Sequence, residues 1–459
     1  MIIGISIFIG LITGVGIYFF KSPFEKLALS SVGLLNVLLK KEKDDEFASD
    51  LEKQVKSASS QLVIFIFLSL LFLAPTIWLF GFSNHHISGA NYTSNTSIFL
   101  IYTVGTIVAF VLFGRYNKDQ KSSSDYSFLS MLLHRMVLQN FHLNKWMLNK
   151  QIAGISHHEA QKNRTLLITG LARSGTTAIT RTLFKSNQFE SLNYSNMPFV
   201  MYPKFWAKWH KPKKGETKDR AHNDGIRIGF SSVEALEEYF FKAIKDDGFI
   251  HPDGLTRHDL SREEYETYKR YRTSIAGYKI YLAKNNNHIL RLKSLYTNEP
   301  KLNVVLLFRD PLQHAFSLFK QHQQFSQVQK ENPFALEYMD WLGHHEFGLN
   351  QKPFLLRQEP NLLSYGEDDL GYWVERWISY YEYALTFDQP LFVDYQDFLN
   401  NPTDTIRNIG QQTGLNIGTI HANKFSKSDS EVEFEDAFLR QKAYSIYSEL
   451  VKRKVQAKN

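Results

Sequence analysis

The run Thr165-Leu-Leu-Ile-Thr-Gly170-Leu-Ala-Arg173-Ser174-Gly175-Thr176-Thr177 restricts the fold of this chain more than any other stretch. Thr165–Thr169 is a short apolar, β-branched run, which predicts a buried strand. Ala178–Phe184 predicts the start of a helix. A turn rich in glycine and small hydroxyl residues joins them. Strand, turn and helix N-terminus together make an anion site, because unpaired backbone N–H groups converge there and the helix dipole adds to them. Ser174, Thr176 and Thr177 contribute hydroxyl donors. An ordinary glycine turn would give the same local pattern, so the reading depends on what surrounds it.

The spacing Gly170…Gly175 is that of a nucleoside-triphosphate loop, but one residue departs from that motif. The motif carries lysine directly after the second glycine, to reach the outer phosphates. Here Thr176 stands there, and the cation comes earlier, at Arg173. Such a loop suits a nucleotide with fewer phosphates. A second buried-strand run, Leu302–Phe308, leads at once into Arg309-Asp310-Pro311, and Ser317 follows about two helical turns on. An arginine at a strand end and a serine on the next helix can grip a second phosphate, since arginine suits planar, bidentate phosphate contacts. Arg-Asp-Pro by itself also reads as a plain helix start with an early proline.

Together the two motifs resemble the sulfotransferase family. The resemblance implies that the Arg-Ser-Gly-Thr-Thr loop holds the 5′-phosphosulfate of 3′-phosphoadenosine 5′-phosphosulfate (PAPS). It implies that Arg309 and Ser317 hold the 3′-phosphate. The cofactor-binding set is then Gly170, Arg173, Ser174, Gly175, Thr176, Thr177, Arg309 and Ser317. Arg220-Ala-His222-Asn-Asp224-Gly225, Ser232–Glu238, Tyr281–Asn286 and His344-His345-Glu346-Phe-Gly348 look like a bacterial branch of that family, over about Thr165–Ile417.

Composition fits this without adding to it. A net charge of +7 and a pI near 9.1 suit a protein that handles phosphate. No long Lys/Arg tract points to nucleic acid. The absence of cysteine excludes disulfides and thiolate zinc sites.

Three charge-free apolar runs, Ile2–Phe20, Leu62–Phe82 and Ile98–Phe113, predict three transmembrane helices. The lysines between the first two runs, and Arg115, Lys118 and Lys121 after the third, place the catalytic domain on the cytoplasmic side by the positive-inside rule. The expected fold class is α/β, a P-loop-like parallel sheet flanked by helices and preceded by an all-α transmembrane region. Residues 1–117 would form the membrane anchor, 118–160 a linker and helix, 161–425 the sulfotransferase domain and 426–459 a helical tail. Ser232–Ile244 predicts an amphipathic helix with Glu234, Glu237, Glu238, Lys242 and Lys245 largely on its polar face.

Sulfuryl transfer needs an acceptor hydroxyl that loses its proton and a cation for the charge growing on the leaving phosphate. Arg173 is expected to supply that charge, although other sulfotransferases often carry lysine there. Lys284, past the strand Tyr278–Leu282, is the second catalytic cation. His222 is the first choice for the general base, oriented by Asp224, with Glu237 and Glu238 next. His344, His345 and Glu346 read as acceptor-side or structural residues. No metal is required. The expected activity is membrane-anchored transfer from PAPS to a hydroxyl of a glycan, lipid or small molecule. The alternatives are a P-loop kinase or NTPase and a non-catalytic nucleotide-binding membrane scaffold.

Overall fold

The computed structural model describes residues 23–38, 49–68, 128–209, 217–219, 227–229, 236–356, 365–418, 420 and 432–454. The chain divides into two units, Met1–His142 and Leu143–Asn459. In the first unit the described residues form helices 23–38, 49–68 and Phe128–Leu138. The Phe24 and Phe65 rings lie 6.3 Å apart, and Asn36 Nδ2 donates to Gln139 Oε1 at 3.0 Å.

The expected multi-pass membrane placement is corrected by this structure. Among the described residues, no helix is long and apolar enough to cross a membrane. Helix 49–68 joins the charged stretch holding Asp50, Glu52, Lys53 and Lys56 to the apolar residues from Leu62 onward, so only part of its length is apolar. The runs Ile2–Phe20 and Ile98–Phe113, and residues 69–82 of the run Leu62–Phe82, lie outside the described residues.

The second unit is built on a five-stranded parallel sheet. Its strands are β1 (Thr165–Thr169), β2 (Phe189–Glu190), β3 (Ile280–Lys284), β4 (Asn303–Phe308) and β5 (Leu391–Asp394), in the spatial order β5-β4-β1-β3-β2. The helices that concern the site are α1 (Thr176–Phe184), α2 (Glu238–Lys245), α3 (Arg262–Ala276), α4 (Pro311–Glu331), α5 (Leu370–Ala384), α6 (Pro402–Thr413) and α7 (Ala437–Arg453). Every residue of β1 and β3 is buried, as expected for a parallel sheet covered on both faces. Leu166, Ile168, Leu282, Val305, Leu307 and Val393 pack with Ile179 and Leu183 of α1 and with Ile406 and Ile409 of α6 in one core.

Strand order places the site. The chain runs from β1 to β2 and β3 on one side and then to β4 and β5 on the other. Ile168 of β1 is in register with Lys284 of β3 and with Val305 of β4. The carboxyl ends of β3, β1 and β4 therefore emerge side by side where the strand order reverses, which is where open parallel sheets bind ligands.

The helix expected over Ser232–Ile244 is also corrected. α2 spans Glu238–Lys245, residues 230–235 lie outside the described set, and Glu237, Glu238 and Lys242 are buried. Partners on other elements make this possible. Arg291 donates from Nη1 and Nη2 to the two Glu238 oxygens at 2.8 and 2.7 Å, and Asn285 Nδ2 adds a third bond at 2.8 Å. Glu237 accepts from Tyr268 and Tyr281 at 2.6 and 2.9 Å, and His288 Nε2 lies 2.9 Å from its other oxygen. Burial opposes the charge of Glu237, but His288 and the two hydroxyls outweigh it and hold the carboxyl below the usual range. Neither glutamate is free to act as a base.

Breaking a fully buried ion pair leaves one charge uncompensated, at a cost of about 3–5 kcal/mol. Arg291→Ala should lower the unfolding free energy in urea by that amount. A loss below about 1 kcal/mol would mean that the pair does not hold α2 against the sheet.

Candidate active site

The loop after β1 depends on two glycines. Gly170 has φ of 144°, and a Cβ there would sit 2.6 Å from the Leu307 carbonyl oxygen of β4. Gly175 has φ of 94° and lies against the Tyr395 ring, where a Cβ would come within 2.1 Å of a ring carbon. Gly175 caps α1 without a side-chain hydrogen bond, so the first-turn amides of α1 stay directed at the loop. α1 begins at Thr176, two residues earlier than its apolar pattern implies, which puts both threonines in that first turn. Ser174 and Thr176 are buried.

Arg173 has φ of 71°, a left-handed conformation that costs a residue with a side chain about 1–2 kcal/mol. From there its side chain crosses to α4, and Nε donates to Ser317 Oγ at 3.2 Å. The loop after β1 and the Arg309…Ser317 motif are thus in direct contact. Arg309 leaves the end of β4 half-buried. Asp310 is occupied elsewhere, since Oδ1 accepts the Gln313 amide at 3.0 Å as the α4 cap and Oδ2 accepts the Tyr444 hydroxyl at 3.1 Å. Among the described residues, the hydrogen bond of the Arg309 guanidinium is a long one to Gln313 Oε1, at 3.4 Å. Among the described residues, no carboxylate lies within ion-pair distance of its guanidinium. Burial pushes its pKa down, and the nearby Tyr395 and Asp310 oppose that only in part. A half-buried cation of this kind is suited to an incoming anion.

His314 ties α4 to the loop. Its Nε2 donates to the Ala172 carbonyl at 2.7 Å, so the proton sits on Nε2, and the buried Nδ1 has no partner among the described residues. Burial, helped by the charges of Arg309 and Arg173, pushes its pKa down to about 3.

Lys284 is the last residue of β3 and is buried, in register beside the strand that feeds the loop. Asn285 continues that pairing, its amide donating to the Ile168 carbonyl at 2.9 Å. The asparagine run forms a single 3₁₀ turn, Asn286–Leu290, capped by Asn285. Glu346 comes from a distant loop and accepts from Asn286 Nδ2 at 2.9 Å. Its place beside Lys284 has no sequence signal, because the contact joins segments sixty residues apart. His222 and Asp224, the expected base and its orienting partner, lie outside the described residues.

A model of the "Sulfotransferase family" matches residues 165–418, more than half of the chain. No curated protein matches it. Among solved structures, sulfotransferase STF1 from Mycobacterium tuberculosis H37Rv is 16% identical, with 72% of this chain and 84% of that chain covered and a TM-score of 0.40. Sulfotransferase STF9 from Mycobacterium avium is 13% identical, with coverages of 72% and 79% and a TM-score of 0.37. A sulfotransferase from Alicyclobacillus acidocaldarius is 14% identical, with coverages of 64% and 94% and a TM-score of 0.29.

The buried imidazole of His314 makes stability depend on pH. In an unfolded chain it takes a proton below its ordinary value of 6.5, and in the folded protein only near 3. The unfolded state therefore binds more protons between those values, and the stabilisation present above 6.5 is lost as the pH falls towards 3. From pH 7 to pH 5 the loss is about 2 kcal/mol. Urea unfolding at the two pH values should show this drop in the wild type, reduced by that amount in His314→Gln. Equal pH dependence in both proteins would rule it out.

Proposed function

The chain belongs to the sulfotransferase family, and from that premise we propose that it transfers a sulfuryl group from PAPS to a hydroxyl of a glycan, lipid or small molecule. Residues 161–425 are the proposed catalytic domain. The observation that carries the donor assignment is the contact between the loop after β1 and the Arg309…Ser317 motif at neighbouring strand ends, made by the Arg173–Ser317 bond. In this reading the amides of the α1 N-terminus, with Ser174, Thr176 and Thr177, hold the 5′-phosphosulfate. Arg309 and Ser317 hold the 3′-phosphate. Thr176 in place of a lysine, together with a second phosphate site, disfavours a nucleoside triphosphate.

The chain's own residues then have separable tasks. Glycines at 170 and 175 let the backbone close on phosphate oxygens. Arg173 stabilises the charge that grows on the leaving 5′-phosphate as its bond to sulfur breaks. Preorganised donors of this kind usually make the largest electrostatic contribution to a transition state. Arginine holds its proton too tightly to act as an acid, so its part is charge stabilisation. Lys284, beside the loop at the end of β3, is a second cation for the sulfuryl oxygens.

Arg309→Ala should weaken calorimetric binding of adenosine 3′,5′-bisphosphate by about 10- to 100-fold, the equivalent of a hydrogen-bonded charge worth ~1.5–3 kcal/mol. Binding of 5′-AMP should stay unchanged. Equal loss for both nucleotides, or tight ATP binding with no preference for a 3′-phosphate, would sink the donor assignment.

A further inference from the structure

The loop that follows helix Pro333–Trp341 crosses over the carboxyl end of β3 and carries His344, His345 and Glu346. Its backbone is pinned. The His344 amide donates to the Met339 carbonyl at 3.0 Å. Gly343, with φ of 72°, rests on the Glu238 side chain, where a Cβ would come 2.9 Å from Cγ. His345 points inward, with Nδ1 3.1 Å from the Asn350 carbonyl oxygen and its ring buried. His344 stays reachable, with its side chain 22% exposed.

Glu346 links His344 to the phosphate loop through a chain of contacts. One of its oxygens accepts from Asn286 Nδ2 at 2.9 Å, and the other lies 3.5 Å from His344 Nδ1. The Asn286 carbonyl accepts the Tyr380 hydroxyl at 3.2 Å, and that hydroxyl lies against Thr169 and Gly170 at the start of the loop after β1. Burial opposes the charge of Glu346, but His344, the Asn286 hydrogen bond and the nearby Lys284 outweigh it and hold the carboxyl well below the usual range. A fixed carboxylate on one ring nitrogen sets the tautomer and leaves the other nitrogen for a substrate.

We infer that His344 is the general base for the acceptor hydroxyl and that Glu346 is its positioning residue, presenting Nε2 to the acceptor beside Lys284. The inference rests on the PAPS reading above. The acceptor O–H bond breaks, and its proton passes to His344 Nε2. The oxygen lone pair forms the new O–S bond as the S–O bond to the 5′-phosphate breaks. That bond's electron pair leaves on the phosphate oxygen, beside Arg173. The products are a sulfate ester and adenosine 3′,5′-bisphosphate, and the proton then passes from His344 to solvent. The charged groups facing this loop are Glu346 within it, Lys284 at the end of β3, Glu238 and Lys242 of α2 beneath Gly343, and Asp340 at the end of the preceding helix.

The test uses the full chain with [³⁵S]PAPS and water as the acceptor, reading release of labelled sulfate against pH, with calorimetry of adenosine 3′,5′-bisphosphate alongside. A positioned base contributes about 10²–10⁴-fold. His344→Gln should therefore lower release at least ~100-fold, flatten the pH profile of the rate and bind the bisphosphate within about twofold of wild type. Glu346→Gln should lower kcat while binding the bisphosphate within about twofold of wild type, because the ring loses the carboxylate that orients it. Added imidazole should restore part of the rate to His344→Ala, which a purely structural histidine would not allow. An unchanged rate and profile in His344→Gln overturns the inference while leaving the donor reading intact. A wild type that binds the bisphosphate but releases no sulfate above buffer also overturns it. A wild type that does not bind the bisphosphate overturns the donor reading itself.

Discussion

The close approach of Gly170 to the Leu307 carbonyl sets the geometry on which the rest of the site depends. Without a Cβ there, the chain leaves β1 tightly against β4 and turns at once into the loop that ends at the N-terminus of α1. The same carbonyl accepts the Tyr381 hydroxyl at 2.8 Å, so α5 is anchored at this crossing too. The neighbouring Tyr380 extends the anchoring to Asn286 beyond β3. One crossing therefore organises the ends of β1, β3 and β4, and with them Arg173, Lys284 and Arg309.

Charge is used in two ways in this unit. Behind the site, Glu237 and Glu238 are matched to His288 and Arg291 and surrounded by tyrosines, an arrangement that fixes α2 and the turn after β3. At the crest, α4 and the Tyr444 hydroxyl of α7 occupy Asp310, and among the described residues no carboxylate pairs with Arg309. α7 also holds the end of β5, through the Tyr447 hydroxyl on Asp394. Buried acids thus serve architecture, while Arg173 and Arg309 are half-buried at the strand ends.

How legible each part was in the sequence follows from the range of the interactions involved. β1, the glycine turn, α1 and the Arg309 strand end are written in contiguous residues, and the helix Pro402–Thr413 follows from Pro402 at its start and Gly414 past its end. The capping box Ser261–Glu264 at α3 is equally local, a serine followed three residues later by a glutamate. The burial of Glu237 and Glu238 was not legible, because the partners that hold them lie up to fifty-three residues away. The approach of Glu346 to Asn286 was invisible for the same reason. The membrane placement rested on apolar content counted along the chain, whereas the described helix 49–68 mixes a charged and an apolar half.

The most direct test of the account is amide hydrogen exchange on the full chain with adenosine 3′,5′-bisphosphate, with 5′-AMP and with no ligand. Both nucleotides should protect the loop amides around residues 171–178, and only the bisphosphate should protect the segment around residues 309–317. Protection of both segments by 5′-AMP, or of neither by the bisphosphate, would contradict a nucleotide site divided between the two strand ends.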